Sequence, residues 1–324
     1  MKLLNMNDRQ LILSSIKGEI LKGLKEYKAR ITLNRNLAEN LNVDDLMSNI
    51  IGDTPWLFYV NEWQWNVTGQ NISIFPQYKY TRKQTQDLRQ RCQQEVSVIL
   101  SKLKYDEDIK SIAKHLHDIL IRNIKYEKQD DYEVHTIIGS LLKRKCVCDG
   151  FSKVYKLILD ELKITNYLIY GKGFARTLTD SEAHAWNLIK IDNDFYHVDV
   201  TYDATLSMYN YIRYDYFLID DSLISIDHYW NRSIIPKANN NKFFLYNQSK
   251  YVVSSRTELR QKIYEKVGEN CYDFILKLPL NLDINFSRKI VLECTLDAMA
   301  AKRANGNVYV NTNPTRNIIY VRIR

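Results

Sequence analysis

Apolar residues at helical spacing recur through the first half of the chain and predict several amphipathic helices. In the first of these helices the apolar stripe consists of Leu13, Ile16, Ile20, Leu24 and Tyr27. Similar stripes predict helices over 44–51, 81–103 and 106–124. The acidic residues at 106–108 complement the positive end of the last helix dipole.

Alternating apolar and polar positions predict aromatic strands between these helices. A short strand is expected at 31–33, and two longer strands at 56–67 and 72–80. The segment Thr68-Gly69-Gln70-Asn71 between the longer strands has turn composition and predicts a hairpin. The aromatic cluster of these strands consists of Trp56, Phe58, Tyr59, Trp63 and Trp65. We favour packing of this cluster on a core over a surface on which a glycan or peptide stacks.

The second half of the chain alternates helix and strand patterns and predicts an α+β fold. Helices are expected over 136–142, 148–162, 257–266 and 287–303, and strands over 167–170, 184–191, 195–202, 243–253, 272–278 and near the end of the chain. The predicted organisation is an N-terminal helix and hairpin region over 1–80, a central core over 81–230 and a C-terminal α+β subdomain over 231–324.

Composition and charge exclude several classes of protein. The 324 residues are 45% hydrophobic and 26% charged, which is typical of a folded chain. No stretch approaches the roughly 20 apolar residues of a membrane span. The net charge of +8 is spread along the sequence without a nucleic-acid-binding signature, so nucleic acid is not an expected partner. An acidic partner or an anionic cell-wall polymer remains open.

The first 20 residues lack the apolar core and cleavage site of a signal peptide. The chain as given is therefore expected to be cytoplasmic, although a chain trimmed of an export signal would look the same. The sequence carries no signal for an oligomeric state.

Five cysteines, at positions 92, 146, 148, 271 and 294, do not form the even, regular pattern of a disulfide framework. Cys92 and Cys294 fall in apolar stripes and are expected in the core. Cys146 and Cys148 lie where a helix begins. A metal site using Cys146 would need a second Cys/His cluster at ligand spacing, and the sequence lacks one, so we favour packing for Cys146.

Cys148 has the features of a thiol nucleophile. The unpaired N–H groups and the dipole at a helix N-terminus favour a thiolate. Gly150 follows closely, where a missing side chain would let a substrate backbone approach. The backbone N–H of Cys148 is a candidate donor to an oxyanion.

His184 and Asp199 are the candidate base and orienting group. His184 opens an apolar strand, and Asp199 lies in the next predicted strand, where a buried carboxylate needs a partner. If residues 192–194 make a tight turn, hairpin pairing sets Asp199 across from about residue 187, roughly 10 Å from position 184. Strand twist, a bulge or a wider turn must then close that gap.

Three further residues of these strands are open to alternatives. His197 shares the predicted strand face with Asp199 and is the rival base, although we favour a structural role in the sheet. For Trp186 we favour a core position over an indole N–H that steadies an oxyanion. Asn187 could anchor the loop or the sheet.

Three blocks of the sequence resemble the signature of the transglutaminase-like superfamily. They are Arg144-Lys145-Cys146-Val147-Cys148-Asp149-Gly150-Phe151, Glu182-Ala183-His184-Ala185-Trp186-Asn187 and Tyr196-His197-Val198-Asp199-Val200-Thr201-Tyr202-Asp203. Their order and spacing agree as well, with 36 residues from Cys148 to His184 and 15 from His184 to Asp199. The segment 216–228 is more weakly similar to bacterial members.

The resemblance implies a papain-like core over 81–230, with the nucleophile on a helix packed against an antiparallel sheet. It assigns Cys148 as nucleophile, His184 as general base and then acid, and Asp199 as the group that orients His184. Gly150, Trp186 and Asn187 would support them. The implied reaction is amide acyl transfer on a protein or peptide through a thioester, without metal or organic cofactor.

Two alternatives remain open within this resemblance. Hydrolysis, by a cysteine protease or deamidase, is favoured over cross-linking because water is always present as acceptor. The second alternative is a binding or scaffold module that retains the fold, with the segment 171–181 covering the site. The residues before Cys148 lack the glutamine that helps to form the oxyanion hole in papain-like enzymes, which leaves the second oxyanion donor unassigned.

Overall fold

A computed structural model describes residues 6–34, 42–103, 108–174, 181–207, 211–279 and 282–324. The chain divides into two compact units, Met1–Leu168 and Ile169–Arg324, here called the first and second units. Helices alternate with largely antiparallel sheets, which confirms the predicted α+β class. The boundaries at residues 80 and 230 stay predictions. Within the described residues, no helix is both long and apolar enough to cross a membrane.

The elements of the first unit follow the predicted order closely. They are α1 (Met6–Lys25), β1 (Ile31–Asn34), α2 (Val43–Asp53), β2 (Val60–Thr68), β3 (Asn71–Tyr78), α3 (Arg82–Lys102), α4 (Ile109–Asn123), β4 (Lys125–Tyr126), β5 (Lys145–Cys146) and α5 (Cys148–Glu161). The predicted hairpin is confirmed, because β2 and β3 are antiparallel and Gly69 takes the positive φ of 58° that a tight turn requires. Asp108 caps α4, and the predicted start of that helix at 106–107 lies outside the described residues.

Two predictions about aromatic residues in the first unit are wrong. Tyr27 lies beyond the end of α1, where it takes a left-handed φ of 55° and stacks on Tyr59 with ring centroids 4.8 Å apart. The strand expected from Trp56 begins only at Val60, because Pro55–Leu57 forms a 3-10 turn. Proline at the start of a helical turn fits this change.

The aromatic cluster of the hairpin region divides between core and surface. Phe58 and Tyr59 are buried, as expected of core residues. Trp65 is 42% exposed, and its indole N–H donates to Asp44, as does that of Trp63. The expected core packing therefore holds for Phe58 and Tyr59 and not for Trp65.

Helix α5 lies at the centre of the first unit, where it packs against α3 and α4. All residues from Gly150 to Leu159 are buried, and the large apolar ones among them are Phe151, Val154, Tyr155, Leu157, Ile158 and Leu159. The helical turn predicted before it is present as a π-helical turn, Gly139–Lys143, which ends at Arg144 with a left-handed φ of 56°. Residues 145–146 then pair in parallel with β4.

The second unit contains a five-stranded sheet and a smaller helix-covered sheet. Its elements are β6 (Asn166–Phe174, of which residues 166–168 are counted with the first unit), β7 (Ser181–Ile191), β8 (Asp194–Val198), α6 (Val200–Leu206), β9 (Phe217–Ile219), α7 (Asp221–Ile224), β10 (His228–Trp230), α8 (Arg256–Gly268), β11 (Asp273–Lys277), α9 (Ile284–Ala301), β12 (Val308–Asn313) and β13 (Ile318–Ile323). The larger sheet has the order β10-β6-β7-β8-β9 and the smaller one β11-β13-β12. The segment 175–180, part of the predicted covering loop, lies outside the described residues.

The C-terminal helices and strands are confirmed except for one strand. The pattern over 243–253 forms a 3-10 turn at Leu245–Asn247 and a single bridge from Val252 to Lys277 instead. The polar run Gln248-Ser249-Lys250 interrupts the apolar pattern, and such runs favour turns over strands.

Candidate active site

Cys148 is the first residue of α5, as the sequence pattern predicts. Its side chain is partly exposed, whereas that of Cys146 is fully buried. Val147, which precedes the helix, has an apolar side chain that cannot accept from the first N–H groups of α5. Those N–H groups and the positive end of the helix dipole would therefore stabilise a thiolate or an oxyanion at this position.

Gly150 serves the close packing of α5 and does not open a path for substrate. A Cβ at this position would lie 2.4 Å from Cys146 Cβ and 2.8 Å from both Ser140 Oγ and the Val134 carbonyl oxygen. Burial raises the pKa of Cys146 to about 12, which fits a packing residue and not a second nucleophile.

Gly150→Ala is expected to destabilise the protein by about 1–3 kcal/mol, because the added methyl group overlaps a backbone oxygen that cannot move aside alone. Gly18→Ala is the matched control, since Gly18 also lies within a helix but has no atom within 4 Å of its Cβ position. That change should stabilise by about 0.5–1 kcal/mol through helix propensity. Urea denaturation of both variants checks the pair, and equal shifts would contradict this role of Gly150.

Asp199 lies at the end of β8 and caps the helix that follows. The predicted strand 195–202 is wrong beyond Val198, because residues 200–206 form α6. Asp199 Oδ1 accepts from the Tyr202 N–H at 3.0 Å, and the Asp199 N–H donates to the Tyr216 carbonyl at 2.9 Å. Aspartate is a favoured N-cap residue for this reason.

The hairpin between β7 and β8 brings Asp199 close to His184. Asn187 pairs with Val198, so continued pairing would set Asp199 opposite Trp186, two residues from His184. Because the chain leaves the sheet after Val198, Asp199 is not held to that position, and its Oδ2 lies 2.6 Å from His184 Nε2. A register shift between β8 and β9 occurs at the same place.

A second histidine, which sequence reasoning missed, also contacts Asp199. His228 Nε2 lies 3.0 Å from the same Oδ2, and His228 Nδ1 lies 2.7 Å from Asp227 Oδ1. Residues 184–186 and 228–230 share the pattern His-x-Trp, which places each histidine and tryptophan on one strand face. That repeated pattern is the signal by which His228 could have been found.

These side chains are buried, and their pKa values reflect strong pairing. Burial works against a charge on Asp199, but the adjacent His184 and His228 outweigh it and hold the pKa of Asp199 below its usual range. Burial also opposes a charge on His228, yet its bonds to Asp199 and Asp227 raise the pKa of His228. The site therefore combines a carboxylate with a histidine that favours its charged form.

His197 lies apart from this network. Its Nδ1 accepts from the indole N–H of Trp186 at 3.1 Å, and its Nε2 lies 2.8 Å from Asp221 Oδ1. Nε2 must then carry the proton, which makes His197 a neutral donor to Asp221. Burial lowers the pKa of His197 despite that carboxylate. The Trp186 N–H is directed at His197, and Asn187 is buried in β7 beside Trp186.

The group His184, Asp199 and His228 is also the one set of described side chains whose ligand atoms could meet at a metal ion. Tetrahedral zinc at 2.0–2.1 Å from each ligand would hold two ligand atoms about 3.3 Å apart. The 2.6 Å between His184 Nε2 and Asp199 Oδ2 is instead a charge-assisted hydrogen bond. These three residues fit a proton-transfer group better than a metal centre.

The structure therefore brings together two of the three predicted catalytic residues in the second unit, His184 and Asp199, whereas Cys148 belongs to the first unit. Gly173 allows a close approach beside them, since a Cβ there would lie 3.2 Å from His184 Cγ and 2.4 Å from the Tyr202 hydroxyl oxygen.

Comparison with known proteins gives weak structural similarities only. No protein-family model matches the chain, and no curated protein sequence matches it. Solved structures similar to it include a TGase (14% identity, 53% of this chain and 51% of that chain, TM-score 0.31) and a candidate cysteine protease from Cytophaga hutchinsonii (14%, 43% and 61%, 0.29). A third is menin, in a structure that reveals its binding site for the Mixed Lineage Leukemia protein (11%, 91% and 58%, 0.31). The match spans about half to three fifths of each of these chains.

Proposed function

We propose that this protein is a cysteine-dependent enzyme of amide acyl transfer, with Cys148 as nucleophile, His184 as base and Asp199 as the group that orients His184. The observation that carries the proposal is the 2.6 Å bond between His184 Nε2 and Asp199 Oδ2, buried at the end of a strand. A base held by a carboxylate in this way is the recurring partner of a nucleophilic thiol.

The residues support a two-step reaction on a protein or peptide amide. The Cys148 sulfur bonds to the amide carbonyl carbon after its proton passes to His184. His184 then gives that proton to the leaving nitrogen, the C–N bond breaks, and a thioester remains. With Nε2 bonded to Asp199, Nδ1 is the nitrogen of His184 that would carry this proton.

Water completes the favoured reaction. His184 takes a proton from water, and the hydroxide oxygen bonds to the thioester carbon. The C–S bond then breaks, His184 returns its proton to the Cys148 sulfur, and the released carboxylic acid ionises to a carboxylate in solvent. A lysine amine in place of water would give a cross-link. The backbone N–H groups at the start of α5 would stabilise the oxyanion in both steps.

The test is the pH dependence of carboxymethylation at Cys148, followed by mass spectrometry in wild type and in His184→Ala. An ordinary thiol titrates near pH 8.5 and is only about 0.3% ionised at pH 6. A Cys148 thiolate paired with imidazolium should react at pH 6 on the order of 100-fold faster than Cys271, which is also partly exposed and is the control in the same sample.

His184→Ala should bring the rate at Cys148 down to that of Cys271 while leaving Cys271 unchanged. Equal rates at the two cysteines in wild type, rising together only above about pH 8, would overturn the proposal. The chain would then be better described as a scaffold that binds without turnover.

A further inference from the structure

His228 takes no part in the proposed reaction, yet it lies at the centre of the buried network. Each of its ring nitrogens faces a carboxylate oxygen, Asp199 Oδ2 at 3.0 Å from Nε2 and Asp227 Oδ1 at 2.7 Å from Nδ1. A neutral imidazole has one N–H and could donate to one of them only. Both contacts are satisfied when His228 carries both protons and is a cation.

The groups around His228 favour that charge. Arg316, in the turn between β12 and β13, donates from Nη2 to Asp227 Oδ1 at 2.9 Å, and the Tyr216 hydroxyl donates to Asp227 Oδ2 at 2.5 Å. Arg316 neutralises part of the negative charge of Asp227. The negative charge of Asp199, on the other side of the His228 ring, is not reduced by Arg316. The pKa of His228 is raised by these bonds even though burial acts in the opposite direction.

Two other histidines face His228 across the sheet. The ring of His184 lies 5.3 Å from that of His228, and His197 is neutral and bonded to Asp221. The Tyr202 ring contacts both His184 and His228 at 4.7 Å. Buried charges thus alternate from Arg316 through Asp227, His228 and Asp199 to the proposed base.

We propose that His228 is a positioning residue of the candidate active site, an imidazolium that shares the Asp199 carboxylate with His184. This inference rests on the proposed role of His184 as base. His228 holds Asp199 in place, because Oδ2 accepts from both histidines while Oδ1 accepts from Tyr202. It also offsets the negative charge that His184 meets, and a base whose proton affinity is moderated releases its proton more readily to the leaving group.

Through Arg316, the C-terminal subdomain contributes to the positioning of Asp199. Arg316 is buried, and its other guanidinium nitrogen, Nη1, donates to the Leu223 carbonyl. Arg316 therefore fixes Asp227, Asp227 fixes His228, and His228 fixes Asp199 by direct bonds.

His228→Gln and His228→Asn form a matched pair of variants. The glutamine amide nitrogen can take the place of Nε2 and keep the bond to Asp199, whereas the asparagine amide nitrogen can take the place of Nδ1 and keep the bond to Asp227. Each variant loses the charge and one of two bonds. A purely structural role predicts similar behaviour of the two variants, and positioning of Asp199 predicts a difference.

The experiment combines imidazole NMR titration with alkylation of Cys148 at pH 6. In wild type, His228 should stay doubly protonated at pH 7. In His228→Gln the titration midpoint of His184 should rise by about one pH unit, because a positive charge about 5 Å away is lost. In His228→Asn the alkylation rate of Cys148 should fall about 10-fold below that of His228→Gln, because a mispositioned base commonly costs that much or more.

Several outcomes would overturn the inference. A neutral His228 at pH 7 in wild type would do so without any variant, even if both variants fail to fold. Equal alkylation rates of Cys148 in the two variants, together with an unchanged titration midpoint of His184, would also overturn the inference. The proposed function would still stand in that case if wild type and His184→Ala differ in alkylation rate. Slow alkylation of Cys148 in wild type, with a raised titration midpoint of His184 in His228→Gln, would overturn the assignment of Cys148 as nucleophile. It would still support the sharing of the Asp199 carboxylate between His184 and His228.

Discussion

Replacing Asp199 with alanine is expected to lower the free energy of unfolding at pH 7 by about 3 kcal/mol or more. Loss of the N-cap of α6 accounts for about 1 kcal/mol. The remainder arises because His228 keeps its charge in a buried position after losing one of two carboxylates, and unpaired buried charges cost several kcal/mol. The variant should also lose the rapid alkylation of Cys148 at pH 6, since nothing then orients His184.

Asp220→Ala is the matched control for Asp199→Ala. Asp220 is also nearly buried and caps a helix, α7, by accepting from the Leu223 N–H at 2.8 Å, but it does not bond to a histidine. Its replacement should cost about 1 kcal/mol, as a cap alone does. Equal losses of stability in the two variants, measured by urea denaturation, would contradict the charge pairing at Asp199.

The contribution of Asp199 to the free energy of unfolding should depend on pH. Because the pKa of Asp199 is lowered in the folded state, its contribution is present above the ordinary carboxyl range and is lost as pH falls through the folded value. The difference in the free energy of unfolding between wild type and Asp199→Ala should therefore become smaller below about pH 4. His228, whose pKa is raised, contributes fully below about pH 6.5, and that contribution is lost as pH rises through its folded value.

Local patterns in the sequence were enough to predict the start of α5 and the hairpin of β7 and β8, but simple hairpin pairing left Asp199 short of His184. Helical spacing after Cys148 and the short turn at 192–193 are signals carried by neighbouring residues. The end of β8 was not predictable in this way, because residues 198–202 suit a strand by alternation while Asp199 suits a helix cap. In the structure the Asp199 side chain accepts from the Tyr202 N–H, and the helix cap prevails over the continued strand.

The part played by His228 could not follow from spacing along the chain. Strand β10 pairs with β6 and not with its neighbours in sequence, so the position of His228 depends on sheet order. Arg316, which donates to its neighbour Asp227, comes from a turn 88 residues beyond His228. Charged groups that meet only through tertiary structure leave no periodic signal, and the repeated His-x-Trp pattern is the local feature that could have drawn attention to His228.

Arg213→Met is expected to cost about 3–5 kcal/mol, among the largest losses in the chain. Arg213 and Asp215 are fully buried and form a two-bond pair, with Nε–Oδ1 at 2.8 Å and Nη2–Oδ2 at 2.7 Å. Removing the guanidinium takes both of these bonds from the Asp215 carboxylate, whose Oδ2 still accepts from the Asn313 amide at 2.9 Å. Asp215→Leu should cost a similar amount, because it leaves Arg213 buried and charged.

The double variant Arg213→Met with Asp215→Leu should recover most of that stability, since replacing both members of a buried ion pair by apolar residues is often nearly neutral. Lys242→Met, which removes an exposed pair with Asp194, is the control and should leave the urea midpoint unchanged. Additive losses in the double variant would contradict the pairing. Because Asp215 immediately precedes Tyr216, whose carbonyl receives the Asp199 N–H, each single variant should also slow alkylation of Cys148. Recovery of that rate in the double variant would show that the buried pair acts on the site by holding this backbone segment in place.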